Sequence, residues 1–414
     1  MIQQVNIGAV IDPAPARVLV KRDTHGEVVE ATFDLSGLPR VDSMLIGRKV
    51  ADVPGLVERL CGICPAAHHL AGIRALEDLA GITQIPHSAA QLRRLLHYGS
   101  VMAIHVVSLV ATHPHEALLL RRFAKAAMAA AGSPGHFPTT AVPGGVATSL
   151  DPGTSQQCLE MAAEALDAAT ALVMQTMATE VPADPFTGAN LALVDDDGLL
   201  DLFGAYVRVV DHHGEELISQ ADHHQWETLV AEAIPGSSSP KPFLRGWGSG
   251  AGTYRVGPVA QLRVAPLSTP LADEFRHLWN EQGQGAARAR AISILHCVEA
   301  IESILLDTQS HQGELVGAGH HERLTRNTGV GWVDGARGLL VHRYVTDHDG
   351  LVTDAQILTP TAQNEPWLGA LLTHEAASMS DLGFEAAIHE ADPCLPCSSA
   401  PAGAMGLHVE TGQV

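Results

Sequence analysis

The chain has 414 residues, enough for two or three conventional domains or one large domain with a substantial core. With 25 basic against 46 acidic side chains its formal charge is −21, which argues against nucleic acid or an anionic membrane surface as a partner. No uncharged apolar run is long enough for a transmembrane helix, and Met1-Ile2-Gln3-Gln4-Val5 opens no basic-then-apolar leader, so a cytoplasmic protein is expected.

In chain order, residues 17–35 alternate around Asp23-Thr24-His25-Gly26, the pattern of a hairpin. Residues 42–60 read as helix and run into Cys61. Pro65 is placed to open the next helix, because its missing N–H costs nothing in a first turn. Leu70, Ile73, Leu76 and Leu79 continue that helix at the right spacing, and Gly81 ends it. Another apolar helix is expected over 88–111, a Pro- and Gly-rich loop over 132–153 and a helix over 155–180. Residues 183–205 and 235–270 read as irregular or mixed. A helical pattern over 272–310 breaks at Gly283 and Gly285, and strands return between Val333 and Pro360 around Asp347-His348-Asp349-Gly350. A weak strand pattern lies at Leu407-His408-Val409. There is no internal repeat, and alanine and leucine dominate. The expected fold is one domain over 1–414, mainly α with small β-sheets made from both chain ends, an α+β class.

Four of the six cysteines fall in two Cys-x-x-Cys units near opposite ends of the chain, Cys61-Gly62-Ile63-Cys64 and Cys394-Leu395-Pro396-Cys397. Such a unit brings two sulfurs to one ion from a tight turn or helix start, and four thiolates suit zinc, iron–sulfur or nickel. Structural zinc is the plain reading, yet zinc ribbons are local whereas these pairs bracket most of the chain. Their neighbours are also polar in a directed way, with Arg59 and His68 around the first pair and Asp392-Pro393 before the second. A thioredoxin-like redox pair is disfavoured, since neither unit follows a strand in a βαβ pattern. Cys158 and Cys297 lie on apolar helix faces and are expected to be buried and inert. The doublets His212-His213, His223-His224 and His320-His321, with His113 and His115, read as polar surface.

Arg59-Leu60-Cys61-Gly62-Ile63-Cys64 followed by His68, together with Asp392-Pro393-Cys394-Leu395-Pro396-Cys397, resembles the paired motifs of the nickel–iron hydrogenase large subunit. Pro143-Gly144-Gly145-Val146, Ala336-Arg337-Gly338-Leu339-Leu340-Val341-His342 and Pro360-Thr361 with Asn364 resemble further segments of that family. The resemblance covers most of the chain and is weakest over 180–270. It implies a helical core in which the two chain ends converge on nickel held by Cys61, Cys64, Cys394 and Cys397. Cys64 and Cys397 would bridge to an iron carrying cyanide and carbonyl ligands. Arg337 would lie over the open metal face, Thr361 would hydrogen-bond an iron cyanide, and His68 would orient a bridging thiolate. Asp42 stands where the family has a glutamate that helps hold magnesium. The implied activity is reversible heterolytic cleavage of H2 by a catalytic subunit, partnered by an iron–sulfur small subunit that conducts electrons.

The chain also departs from the family pattern. Pro13-Ala14-Pro15-Ala16 stands in place of the family's proton-relaying glutamate segment, with Asp12 the nearest carboxylate. The second pair continues Ser398-Ser399-Ala400-Pro401, without the histidine or arginine that marks the family's processing site. Proline lacks an N–H and restricts its neighbour, so ordinary cleavage of the 398–414 tail is not expected. These departures open an alternative function, a non-catalytic scaffold that carries the Fe(CN)2CO or nickel–iron centre for transfer and works with hydrogenase maturation proteins.

Overall fold

A computed structural model describes residues 17–35, 41–59, 61–110, 112–310, 312–317, 324–376, 380–395, 398, 400, 403 and 405–413. Asp12 to Ala16, His320-His321, Cys397, Ser399 and Pro401 lie outside the described residues. The hairpin forms as expected from β1 (Arg17–Arg22) and β2 (Val28–Phe33). Residues 42–60 do not form one helix: two 3-10 turns, Asp42–Leu45 and Val50–Asp52, precede a single short helix, Val53–Val57. Gly47 at φ 77° and the Pro54-Gly55 pair prevent a continuous ladder.

Proline then opens one helix after another. α1 (Pro65–Ala80) ends on Gly81 in the left-handed region, φ 72°, as its sequence predicts. α2 (His87–His105) tightens into a 3-10 turn through Leu109, so it is shorter than expected. α3 (Pro114–Ala130) falls in a stretch for which the spacing predicts no element, and the 132–153 loop contains a small ribbon, β3 (Ala141–Val142) with β4 (Gly145–Val146). α4 (Pro152–Met177) is capped by Asp151, which accepts from Thr154 N at 2.7 Å.

The middle region is more regular than its composition suggests. β5 (Ala189–Val194), β6 (Tyr206–Val210), β7 (Glu216–Ala221), a ribbon of β8 (Val230–Glu232) and β9 (Pro242–Leu244), and β10 (Tyr254–Arg255) follow in turn. Four of them make a sheet in the order β10-β5-β6-β7. α5 (Pro258–Val264), α6 (Pro270–Gln282) and α7 (Ala286–Leu306) come next, the last two separated at Gly283 and Gly285 as expected. β11 (Thr328–Gly335), β12 (Gly338–Thr346) and β13 (Val352–Leu358) form an antiparallel sheet. β11 begins earlier than the sequence pattern suggests. α8 (Pro360–Gln363), α9 (Glu365–Glu375) and α10 (Asp381–Ala391) lead to the second cysteine pair, and β14 (His408–Gln413) pairs parallel with β1. Both chain ends therefore share one sheet.

The α2, α3, α4 and α7 helices bury a common apolar core that includes Leu95, Leu96, Phe123, Leu172, Ile292 and Leu295. Helix α1 lies flat on β11, because a Cβ at Gly329 or Gly331 would collide with the backbone of Ala75 or Ala71. Arg74 secures the crossing by donating to Trp332 O at 2.9 Å and Gly204 O at 3.1 Å. Among the described residues no helix is long and apolar enough to cross a membrane.

Candidate metal centre

Cys61 and Cys64 occupy the turn that enters α1, with Cys64 at the N-cap and Pro65 at the first helical position. Cys394 follows α10, which ends on Asp392 in the left-handed conformation, φ 45°, a geometry that aspartate tolerates better than most residues. The bend turns the chain back so that Cys394 meets the first pair. Its N–H donates to Thr361 Oγ1 at 2.8 Å, which ties the second motif to α8.

The three sulfurs form a triangle. Cys61 Sγ lies 3.0 Å from Cys64 Sγ and 3.8 Å from Cys394 Sγ, and Cys64 Sγ lies 3.9 Å from Cys394 Sγ. All three are free thiols. Two sulfurs held about 2.3 Å from one tetrahedral ion span about 3.8 Å, so both contacts across the motifs fit a shared soft ion. A cavity of about 230 Å³ opens beside them, lined also by His68, His97, Arg337 and Thr361. Hydrogen bonds from Cys394 and Cys64, helped by His68, hold the Cys61 thiol far below its usual range. Donating to Cys61 pushes Cys394 up to about 12, and Cys64 rises as well through its bonds with Cys394 and Cys61. A soft cation bound here would replace the protons that the sulfurs share.

Arg337 sits on the tight turn between β11 and β12. Its Nε and Nη2 reach Asp392 Oδ1, each at 3.1 Å, and its Nη1 points at Cys394 Sγ at 3.9 Å. Burial opposes the guanidinium charge, but the Asp392 carboxylate and then the Cys394 sulfur outweigh that penalty and raise its pKa. The turn is pinned from below, since Asn364 Nδ2 donates to Arg337 O at 3.4 Å while Asn364 Oδ1 accepts from Val256 N at 2.8 Å. Gly257, at φ 96°, must be glycine, because a Cβ there would meet Arg337 O at 2.7 Å.

Behind the first pair, His68 Nδ1 lies 3.0 Å from His342 Nε2, and His342 Nδ1 lies 2.6 Å from the Tyr344 hydroxyl. Burial, and then the nearby His68, press the His342 pKa well below its usual range, so this imidazole is neutral. His69 Nδ1 meets Glu58 Oε2 at 3.0 Å, and its Nε2 accepts from Ala141 N at 3.3 Å. This clamps the approach to Cys61 against the β3–β4 ribbon.

The fold therefore gathers Cys61, Cys64, Cys394, His68, Arg337 and Thr361 around one cavity. Asp42 is not part of it: it lines a separate surface pocket with Arg343 and Asp354. Cys397 lies outside the described residues. Cys158 and Cys297 are fully buried as expected, and burial pushes the Cys158 thiol up to about 12. Sequence reasoning did not assign roles to Asp392, His342 or Asn364, although all three stand inside the quoted motifs. Nothing in one dimension marked Asp392 as the partner of Arg337.

Residues 40–113 match the model of the nickel-dependent hydrogenase family. An F420-non-reducing hydrogenase subunit from Methanothermobacter thermautotrophicus is 27% identical, with 93% of this chain and 92% of the relative covered. The NAD-reducing hydrogenase HoxS subunit beta of Cupriavidus necator is 26% identical, with 97% and 96% covered. A chain of an NAD+-reducing [NiFe]-hydrogenase, solved in the H2-reduced state, superposes with a TM-score of 0.82 at 29% identity, covering 94% of this chain and 98% of that one. The Ni-Fe-Se hydrogenase from D. vulgaris Hildenborough shares the fold at 18% identity, with a TM-score of 0.67 and 92% and 98% covered.

Proposed function

The chain belongs to the nickel–iron hydrogenase large-subunit family, and from that premise we propose that it is the catalytic subunit of a hydrogenase, binding nickel and iron through Cys61, Cys64, Cys394 and Cys397 and cleaving H2 heterolytically and reversibly. The observation that carries this reading is the meeting of three thiols from opposite chain ends under a guanidinium aimed at one of them. A nickel–iron pair bound here, its iron carrying cyanide and carbonyl, would supply the electrophilic centre that polarises H2.

The protein's own residues then have distinct tasks. Arg337, held by Asp392, keeps positive charge beside the Cys394 sulfur and stabilises negative charge as the bond polarises. Thr361 accepts the Cys394 N–H through Oγ1 and keeps its own hydroxyl proton available to an iron cyanide. His68, backed by a neutral His342, steadies the first pair. Asp42 would ligate magnesium only away from the thiol cluster, in its own pocket. An iron–sulfur small subunit would carry the electrons.

The alternative, a maturation scaffold, rests on Pro13, Ala400 and Pro401, whereas the ordered Arg337–Asp392 pair favours an enzyme. Metal analysis and infrared spectroscopy of the purified protein, followed by H2-dependent dye reduction with a co-expressed iron–sulfur partner, test both. Nickel with cyanide and carbonyl bands and turnover is the expected result. Iron bands without nickel would favour the scaffold, and zinc alone without bands would remove both readings.

A further inference from the structure

A second group of metal-binding side chains lies at the far end of α1, away from the thiol cluster. Asp78 Oδ1, a His223 nitrogen and a His224 nitrogen all fall within 4.8 Å of one another. The nearest distances are 3.5 Å from Asp78 Oδ1 to His223 Nε2 and 3.7 Å to His224 Nδ1. Two ligands about 2.0–2.1 Å from one tetrahedral zinc would span about 3.4 Å, so small adjustments suffice to close the set on one ion.

Each member is held in place for this arrangement. Asp78 is nearly buried, and its other oxygen, Oδ2, accepts from Val330 N at 2.9 Å, which turns Oδ1 toward the histidines. His223 and His224 sit on a 3-10 turn closed by a capping box, in which Asp222 accepts from His224 N and Gln225 N while Gln225 Oε1 accepts from Asp222 N. That turn brings the two rings to a 4.0 Å centroid separation, and the Trp332 ring braces His223 edge-on at 6.0 Å. The histidine side chains remain 32% and 45% exposed, so water can complete an ion's coordination.

One protein cation occupies this point. Arg326 Nη1 lies 2.7 Å from Asp78 Oδ1 and 3.1 and 3.0 Å from the two ring nitrogens of His224. Its side chain is 44% exposed and can swing outward without leaving a buried charge. A guanidinium cannot accept a lone pair, whereas imidazole nitrogens and a carboxylate are donors for a borderline divalent ion.

We propose that Asp78, His223 and His224 form a second metal site, specific for a zinc-class divalent ion, in which Arg326 is the cation that the ion displaces. The site would tie α1, the helix that begins at the first cysteine pair, to the turn that follows β7. It neither uses the thiol ligands nor depends on hydrogenase activity.

The test is zinc titration of the full chain by calorimetry and by metal analysis after desalting, repeated with cobalt to separate sites by spectrum. The double variant His223→Asn/His224→Asn changes partly exposed residues and spares the core. It is expected to lose one equivalent of zinc while keeping the cobalt–thiolate charge-transfer band of the cysteine site. Arg326→Gln, which removes the competing cation, is expected to tighten that same equivalent about tenfold. Unchanged zinc stoichiometry in the double variant, or unchanged affinity in Arg326→Gln, overturns the proposal.

Discussion

At the scale of single residues, the Arg337–Asp392 contact is the most exposed to test. Asp392→Asn keeps the size of the side chain but removes the charge that outweighs the burial penalty on Arg337. Loss of about a hundredfold in H2-dependent dye reduction is expected, with nickel content unchanged, comparable to removing one preorganised donor from an active site. Arg337→Lys is expected to fall as far, because an ammonium cannot hold Asp392 and face Cys394 together. Thr361→Val strips the acceptor from Cys394 N–H. It is expected to lower stability by about 1 kcal/mol in denaturant titration, along with metal occupancy. These residues lie within motifs visible in the sequence; their pairing was not visible there. Arg337 and Asp392 stand on different elements, and the left-handed end of α10 aims the one at the other.

At the scale of elements, α1 links the thiol cluster to its surroundings. Its Glu77 forms a buried ion pair with Arg93 of α2, at 2.6 Å, and also accepts Gly144 N at 2.8 Å. Arg93 in turn donates to Gly145 O and Val142 O, so one ion pair pins the Pro-Gly-Gly ribbon between two helices. Glu77→Gln leaves Arg93 buried without its counter-charge, and a loss of about 3–5 kcal/mol is expected in a denaturation midpoint. Helical spacing made α1 predictable from Pro65 to Gly81. The β11 strand beneath it was less so, because the glycines that let the two surfaces touch, Gly329 and Gly331, also weaken the strand signal.

At the scale of the whole molecule, buried titrating groups set the pH range of the fold. Burial depresses His97 to about 4, His105 to about 3 and His296 to about 4. An unfolded histidine titrates at about 6.5, so each stabilises the fold fully above that pH and loses its contribution as pH falls toward 4 or 3. Asp334 acts in the opposite sense. Burial raises its carboxyl to about 7, against hydrogen bonds from Gln261 and Leu193 N that favour the charged form, so stability declines as pH rises from about 4 to 7. Three histidines outweigh one aspartate, so the melting temperature is expected to drop as pH is lowered from 6.5 to 4. Asp334→Asn is expected to make that drop steeper, since its opposing slope is gone. A melting temperature flat over this interval would contradict the assignment of the three histidines as buried and neutral.

The sequence by itself carried the resemblance to the hydrogenase large subunits and marked the candidate sulfur ligands, because paired cysteines at fixed spacing, proline-opened helices and terminal glycines are local signals. It also placed both chain ends among the strands, and β14 beside β1 makes that expectation physical. Tertiary structure alone decided which side chains meet. The sheet over 189–255 depends on cross-strand pairing between segments whose own composition is irregular. Asp78 joins His223 and His224 only because β11 carries α1 past the turn after β7. At the centre, Cys394 reaches Cys61 and Cys64 because a left-handed aspartate bends one chain end onto a proline-started helix from the other. Spacing can name the sulfurs, but only packing can bring them within 3.9 Å of each other.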